Sequence, residues 1–358
     1  MKKMKYLIAI ISVFALAALA GCAGGGTAAS ASASADAAAS ASASADADAS
    51  ADADASASAS ADAAASASAE DGNVKVINAV MDYWDNFPAE GNNQLSADKI
   101  FEKMDAGEDI YLLDIRSPED YAEGHLKGAV NIPYGQLGAN LEAIPDDKDI
   151  WINCYSGQTS SQATVLLTVA GKKAHNILNG WNRGISKAEG YENYIDTEEA
   201  KFEGTYEVDA DIKAAIEQYF ASDDKPFNVE PADLKAAIDG GTADQYTIVS
   251  VRSAADFAGE GDASKSAQGH IPGAMNIPFG KGMNTSFAQI PDTKQVIVYC
   301  YSGQTASQVI ASLRLLGYDA WNLNSGMGKA PEGESEGSGW LSVEGAADML
   351  EADVAKAA

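Results

Sequence analysis

The sequence is short of cysteine, histidine and basic residues. It has three cysteines and three histidines in 358 residues, and their scattered positions offer no close ligand spacing, so neither a metal site nor a cofactor is predicted. Lysine and arginine number 24 against 52 aspartates and glutamates. Because binding to a phosphate backbone requires basic patches, this balance argues against nucleic acid as a partner.

Large apolar side chains are missing from a long segment near the N-terminus. Residues Thr27–Ala69 are almost entirely Ala, Ser and Asp, a composition that cannot offset the entropy lost on ordering. We therefore expect residues 22–72 to be a disordered linker. As a flexible coil, its Ala/Ser/Asp part would have an r.m.s. reach of about 35–40 Å.

The N-terminal apolar run, Tyr6–Ala18, is too short for a comfortable membrane span. It follows three lysines and precedes Leu19-Ala-Gly-Cys22, which is the layout of a secretory signal over residues 1–21. The last four residues resemble the lipobox of bacterial lipoproteins. The resemblance implies cleavage before Cys22, lipid attachment to that cysteine, and an extracytoplasmic protein held on the membrane by its lipid anchor. Ordinary secretion of a chain with a stray cysteine is the alternative.

One loop sequence occurs twice. Cys-Tyr-Ser-Gly-Gln-Thr stands at Cys154–Thr159 and again at Cys300–Thr305. Each copy follows a short β-branched or aromatic run that predicts a buried strand, and each precedes a helical pattern of apolar residues. A cysteine in a Gly-containing turn at a helix start lies among converging backbone N–H groups, which favour a reactive thiolate.

The two loops belong to two copies of a longer unit. An amphipathic opening helix, a strand that ends in arginine and a Gly-His turn recur in the same order. The matched stretches are Val76–Trp84 with Ile212–Phe220, Tyr111–Arg116 with Thr247–Arg252, and Gly124–Pro133 with Gly269–Pro278.

The alternation of strands and helices predicts an α/β fold with two tandem domains, 73–205 and 206–358. Each domain is expected to be a parallel sheet flanked by helices. Both cysteines fall at carboxyl ends of strands, where such sheets form their sites. The second copy has an insertion within Gly259–Gln268, which is polar and rich in Gly and Ser and is predicted to be a surface loop.

The chain resembles the rhodanese-like sulfurtransferases, as a tandem member with two rhodanese domains after residue 73. The family pattern of an aromatic residue, three residues, His, an apolar residue and Pro-Gly-Ala is similar to Tyr121–Ala129, with Lys127 in place of proline, and to Gln268–Ala274. Family active loops begin with cysteine, have glycine three residues on and often Thr or Ser as the sixth residue. Both loops of this chain fit that pattern.

This resemblance implies ping-pong sulfur transfer by Cys154 and Cys300 without a cofactor. The thiolate attacks the outer sulfur of a small donor of the thiosulfate or persulfide type, holds it as a persulfide, and passes it to a thiol, cyanide or a protein thiol. The loops contain no Lys or Arg, so neutral hydrogen bonds are expected to hold the donor. The loop residues assigned to donor binding are Tyr155, Ser156, Gly157, Gln158, Thr159, Tyr301, Ser302, Gly303, Gln304 and Thr305.

Two residues at a strand end are assigned a supporting role. Asp114 and Arg116 match the Asp-x-Arg of the family and are expected to buttress the loop as an ion pair. In the second copy Ser250 replaces the aspartate and leaves Arg252 without its expected partner. On this reasoning Cys154 is the better-supported nucleophile and Cys300 the second one.

Three alternatives compete with sulfur transfer. Related phosphatases and arsenate reductases use Cys, five residues and then Arg, but Ser160 and Ala306 stand where that arginine would be. A disulfide between Cys154 and Cys300 would suit an exported protein. A noncatalytic lipoprotein that binds sulfur or docks a partner would keep the same loops without turnover.

Overall fold

The structure is a computed structural model that describes residues 72–201, 204–329 and 338–352. The expected signal peptide, Cys22 and nearly all of the expected linker lie outside these residues. The described residues from Lys75 onward belong to one compact unit that contains both repeats. Within the described ranges, no helix is both long enough and apolar enough to cross a bilayer.

The first repeat contains a five-stranded parallel sheet and a small antiparallel pair of strands. Its helices and strands in chain order are α1 (72–85), β1 (Gln94–Leu95), α2 (Ala97–Asp105), β2 (Ile110–Asp114), α3 (Pro118–Glu123), β3 (His125–Leu126), β4 (Val130–Asn131), β5 (Asp149–Asn153), α4 (Gln158–Val169), β6 (Lys173–Ile177) and β7 (Ile195–Asp196). The strand order in the parallel sheet is β1-β6-β5-β2-β4, and the antiparallel pair is β3 and β7.

The second repeat contains an equivalent parallel sheet. Its helices and strands are α5 (Ala210–Ala221), β8 (Asn228–Val229), α6 (Pro231–Asp239), β9 (Tyr246–Ser250), α7 (Ala254–Ala258), β10 (Met275–Asn276), β11 (Gln295–Tyr299), α8 (Gln304–Leu315) and β12 (Ala320–Leu323). The strand order is β8-β12-β11-β9-β10. The two sheets confirm the predicted α/β fold class.

Short turns of other helix types connect these elements. A π-helical turn at Gly180–Gly184 follows β6. The 3₁₀ turns are Gly91–Asn93, Tyr134–Gln136, Gly138–Ala143, Ile185–Lys187, Tyr191–Tyr194, Ala243–Gln245, Met283–Gln289, Trp340–Ser342 and Ala347–Met349.

Sheet register brings the candidate site residues together. Strand β2 pairs with β5 so that Asp114 lies opposite Asn153, and β9 pairs with β11 so that Ser250 lies opposite Tyr299. The central strands β5 and β11 are buried after their first residues, Asp149 and Gln295, which matches the apolar sequences that follow and the helices that flank each sheet. The strand-end residues of β2 and β9 therefore lie beside the residues that lead into the cysteine loops.

The opening helices form where the sequence predicts them, but each packs against the opposite repeat. Trp84 of α1 is 0% exposed. Its Nε1 donates to Ser312 Oγ of α8 at 3.0 Å. Its ring meets Phe279 and Phe287 of the second repeat edge to face, with centroids 5.4 and 6.1 Å apart.

Helix α5 makes the reciprocal contact with the first repeat. Its Tyr219 hydroxyl donates to Gln162 Oε1 at 2.7 Å, and Phe220 meets Tyr134 edge to face at 5.1 Å. In the matching contact of α1 with the second repeat, the Tyr83 hydroxyl donates to Gln308 Oε1 of α8, also at 2.7 Å. The two repeats are therefore interlocked through exchanged helices, because each apolar helix face covers the neighbouring repeat.

This exchange predicts that α1 stabilises the second repeat. Replacing Trp84 by Ala should lower the free energy of unfolding by about 3–5 kcal/mol, because it leaves a large cavity against Phe279 and Phe287. Urea unfolding followed by circular dichroism measures the effect. Asn78→Ala, at an exposed position of the same helix, is the control. Equal urea midpoints for the two variants would contradict the exchange.

Candidate active site

Both cysteines lie in the turn between a central strand and a long helix. Cys154 connects β5 to α4 and Cys300 connects β11 to α8; each helix has 12 residues. Gly157 and Gly303, just before the helices, have φ of +84° and +85°, a conformation that glycine adopts without strain. Their N–H groups donate to the cysteine sulfurs at 3.1 Å in both repeats.

The two sulfur-bearing residues are buried and unlinked. Cys154 and Cys300 are each 1% exposed, and both are free cysteines. The structure therefore contains no disulfide between them. A backbone donor and the N-terminal end of a helix face each sulfur, and both favour negative charge there.

In each repeat, a second turn donates a backbone hydrogen bond to the cysteine carbonyl. Trp181 N donates to Cys154 O at 2.7 Å, and Met327 N donates to Cys300 O at 2.9 Å. The preceding glycines, Gly180 and Gly326, allow this approach, because a Cβ at either position would lie 2.5 Å from the cysteine carbonyl oxygen. These glycines were not predicted as site residues, although they recur at the same offset from the two cysteines.

The loop tyrosines are anchored to the residues that follow β2 and β9. The Tyr155 hydroxyl accepts from Ser117 N at 3.1 Å and donates to the Asp120 carboxylate. These bonds hold the loop against α3. The equivalent contacts of the second loop join the Tyr301 hydroxyl to Ser253 N at 3.1 Å and to Asp256 Oδ2 at 2.6 Å.

Asp256 collects donors from the loop and from the insertion. Burial raises its pKa, but hydrogen bonds from Ser266, Tyr301, Gln268 and Ser253 outweigh burial and hold the pKa at about 2. The side chain is therefore an ionised acceptor at neutral pH, and it ties the active loop to the insertion.

The loop glutamines reach into the opposite repeat. Gln304 Oε1 accepts from Asn179 N at 2.9 Å, and its Nε2 donates to Asn179 Oδ1 at 2.6 Å. Gln158 Oε1 accepts from Asn322 Nδ2 at 2.7 Å and from Ser325 N at 3.2 Å. Both glutamines are predicted to bind the donor. In the structure their carboxamides join the two repeats, whose helices α4 and α8 pack against each other.

Glycine is required where each glutamine crosses. A Cβ at Gly157 would lie 2.1 Å from Gln304 Oε1, and one at Gly303 would lie 2.4 Å from Gln158 Oε1. The same glycine thus presents its N–H to the sulfur and leaves space for the other repeat.

The remaining polar side chains of the loops are half-buried. The hydroxyls of Ser156 and Ser302 accept from the glutamine two residues later in the same loop, at 3.3 and 3.2 Å. The half-buried residues of this group are Ser156, Thr159, Ser302 and Thr305.

In the first repeat, a buried ion pair lies at the end of β2. Arg116 Nη2 donates to Asp114 Oδ2 at 2.6 Å, and both side chains are buried. Asp114 also accepts from Asn153 Nδ2 at 3.2 Å. The guanidinium lies 3.8 Å from the centroid of the Trp181 ring. The pair therefore links the end of β2 to the turn whose Trp181 N–H donates to the Cys154 carbonyl.

In the second repeat, Arg252 bonds to carbonyl groups, and its Nε has no hydrogen-bond partner among the described residues. Arg252 is 0% exposed. Its Nη1 donates to Ala267 O at 2.7 Å, and its Nη2 donates to Gly269 O. Ala267 belongs to the insertion that was predicted to be a surface loop, yet Ser266 and Ala267 are buried. Only this end of the insertion is buried, and most of Gly259–Lys265 is exposed, as predicted. The acceptor that the insertion adds is Ala267 O, whereas the Gly269 bond has a counterpart in the first repeat, where Arg116 Nη2 donates to Gly124 O at 2.7 Å.

The histidines of the two Gly-His turns are held in structural contacts. His125 Nδ1 bonds to Tyr121 O at 2.8 Å, and the two rings stack 3.6 Å apart. His270 repeats this arrangement with Phe257, at 3.0 Å and 3.9 Å. The insertion thus leaves Phe257 in the place of Tyr121. Within residues 72–201, 204–329 and 338–352, no group of three or more His, Cys, Asp or Glu side chains is placed to hold a metal ion.

Comparison with known families agrees with this geometry. The family described as the rhodanese-like domain matches residues 96–187 and 230–329, which together exceed half of the chain. The chain therefore belongs to the rhodanese-like family and contains the domain twice.

Individual relatives match one domain at a time. A sulfurtransferase of Allochromatium vinosum is 32% identical over 79 residues, which are 22% of this chain and 74% of that protein. Thiosulfate sulfurtransferase PspE of Escherichia coli is 36% identical over 61 residues, which are 16% of this chain and 59% of PspE. Three of the relatives are matched by this chain over 52%, 84% and 74% of their own lengths.

A solved structure also matches part of this chain. A rhodanese-related protein from Thermoplasma volcanium is 25% identical, with a TM-score of 0.26, over 29% of this chain and 98% of that structure.

Proposed function

We propose that this protein is a sulfurtransferase that carries a sulfane sulfur as a persulfide on Cys154 and Cys300. The observation that carries the proposal is the pair of buried sulfurs, each bonded to a glycine N–H at 3.1 Å at the start of a 12-residue helix. Such a site stabilises an anionic sulfur. The sulfurtransferase relatives support the class of reaction.

The transfer has two balanced steps. The cysteine thiolate attacks the outer sulfur of the donor, the donor S–S bond breaks, and the leaving group departs with the electron pair; with thiosulfate it departs as sulfite. A thiolate or cyanide then attacks the outer sulfur of the persulfide, and the cysteine leaves as the thiolate. No cofactor is needed, because the atom that moves is itself the electrophile in both steps.

The Gly157 and Gly303 N–H groups hold the cysteine sulfur throughout this cycle. Tyr155 and Tyr301 fix the loop through Asp120 and Asp256, so the loop need not reorganise when charge moves onto the outer sulfur.

A noncatalytic role in binding sulfur or a partner is the second candidate. The specific observation in its favour is burial, since both cysteines are only 1% exposed. A donor must therefore pass the loop surface, where Tyr155 is 39% exposed.

Mass spectrometry after exposure to thiosulfate or to glutathione persulfide distinguishes these functions. The wild type should gain up to two sulfur atoms, Cys154→Ser and Cys300→Ser one each, and the double variant none. Subsequent cyanide should remove the added sulfur as thiocyanate. If neither donor adds sulfur to either cysteine, the transfer mechanism fails and the binding role is favoured.

We also propose that the protein acts outside the cytoplasm, anchored by a lipid on Cys22. The support is the Leu19-Ala-Gly-Cys22 sequence after an apolar run. Cys22→Ala should move the protein from the detergent phase to the aqueous phase on phase partitioning, whereas Cys154→Ser should stay in the detergent phase. Unchanged partitioning of Cys22→Ala would rule out the anchor.

A further inference from the structure

The contacts of the two cysteine sulfurs differ in one atom. Ser160 Oγ lies 3.1 Å from Cys154 Sγ. The equivalent residue of the second repeat is Ala306, which has no hydroxyl to offer Cys300. Ser160 and Ala306 are both 0% exposed.

The hydroxyl proton of Ser160 is directed away from the sulfur. Asn179 N–H donates to Gln304 Oε1 at 2.9 Å, which makes that oxygen an acceptor. Asn176 Nδ2 donates to the same oxygen at 3.3 Å. The other end of this amide, Asn176 Oδ1, therefore faces Ser160 and accepts its hydroxyl proton at 2.5 Å. Ser160 then presents only an oxygen lone pair to Cys154.

This lone pair opposes the charge that the reaction requires. Cys154 Sγ has one donor, Gly157 N–H, and one acceptor, Ser160 Oγ, which are the partners of a neutral S–H group. An attacking thiolate and a persulfide anion both carry negative charge, and a lone pair 3.1 Å away repels it. Cys300 has the glycine donor and no such hydroxyl.

In the second repeat, the absence of a hydroxyl at Ala306 leaves a buried side-chain oxygen without a donor. Asn322 occupies the place of Asn176, and its Nδ2 donates to Gln158 Oε1 at 2.7 Å. Its Oδ1 is buried and has no hydrogen-bond partner among the described residues. A serine at position 306 would supply that donor. The fold therefore already tolerates a site of this kind without the hydroxyl.

We propose that Ser160 restrains Cys154 and that Cys300 is the cysteine that reacts first, so that the second repeat takes up sulfur before the first. This order reverses the one suggested by Asp114 and Ser250. The order in which the two cysteines take up sulfur rests on the proposed function. The difference in thiol reactivity does not, and the two are tested separately.

Reactivity is measured by site-resolved alkylation with iodoacetamide at one neutral pH, in which the cysteine sulfur bonds to carbon and iodide leaves. Ser160→Ala should raise the rate at Cys154 about tenfold and leave Cys300 unchanged, the change expected for one hydrogen bond to an ionisable group. Ala306→Ser should lower the rate at Cys300 by a similar factor and leave Cys154 unchanged. A merely structural effect would not produce these opposite, site-specific changes.

Sulfur order is measured by brief exposure to glutathione persulfide followed by peptide mass spectrometry. The wild type should carry its first sulfur on Cys300, and Ser160→Ala should load both cysteines at comparable rates. Unchanged alkylation of Cys154 in Ser160→Ala, or first loading of Cys154 in the wild type, would overturn the proposal. Alkylation that shifts as expected while no sulfur adds would uphold the restraint and defeat sulfur transfer.

Discussion

The packing of α4 against α8, closed by the two loop glutamines, is the constraint on which the rest of the structure depends. Gln158 and Gln304 each leave their own loop and bond to the turn after β12 or β6 of the other repeat. Buried carboxamides must find partners or incur a desolvation cost, so these bonds determine how closely the helix starts approach. The glycines beside the sulfurs and the exchanged helices α1 and α5 follow from that approach.

The two sites are therefore parts of one polar network, but the network is not symmetric. From the second loop, a path runs from Gln304 through Asn176 and Ser160 to the sulfur of Cys154. The matching path from Gln158 ends at Asn322, because Ala306 has no hydroxyl. The ion pair at the end of β2 also lacks a counterpart at the end of β9. Identical loops thus stand in different surroundings.

Local sequence patterns predict the fold class, the duplication and the place of both cysteines, because β-branched runs before Cys154 and Cys300 determine strand ends directly. The partner of each opening helix is not predictable in this way, since an amphipathic pattern such as Val76–Trp84 specifies an apolar face and not the surface that covers it. The same holds for Gln158 and Gln304, whose direction depends on the helix pairing. In the sequence, Ser160 shows only that the arginine of the phosphatase pattern is absent. Its contact with the sulfur depends on the helix start, which places the hydroxyl beside Cys154.

The central claim is that Ser160 restrains Cys154 and that Gln304 of the second loop, through Asn176, holds Ser160 in that position. The most direct measurement is the iodoacetamide rate of each cysteine in Gln304→Leu and Gln158→Leu. Without Gln304, Asn176 loses the acceptor that orients it and Ser160 is released, so the rate at Cys154 should rise. Gln158→Leu should change the rate at Cys300 less than Gln304→Leu changes the rate at Cys154, because Ala306 has no hydroxyl through which the loss could act. Equal effects on the opposite cysteine in both variants, or none in either, would contradict the account.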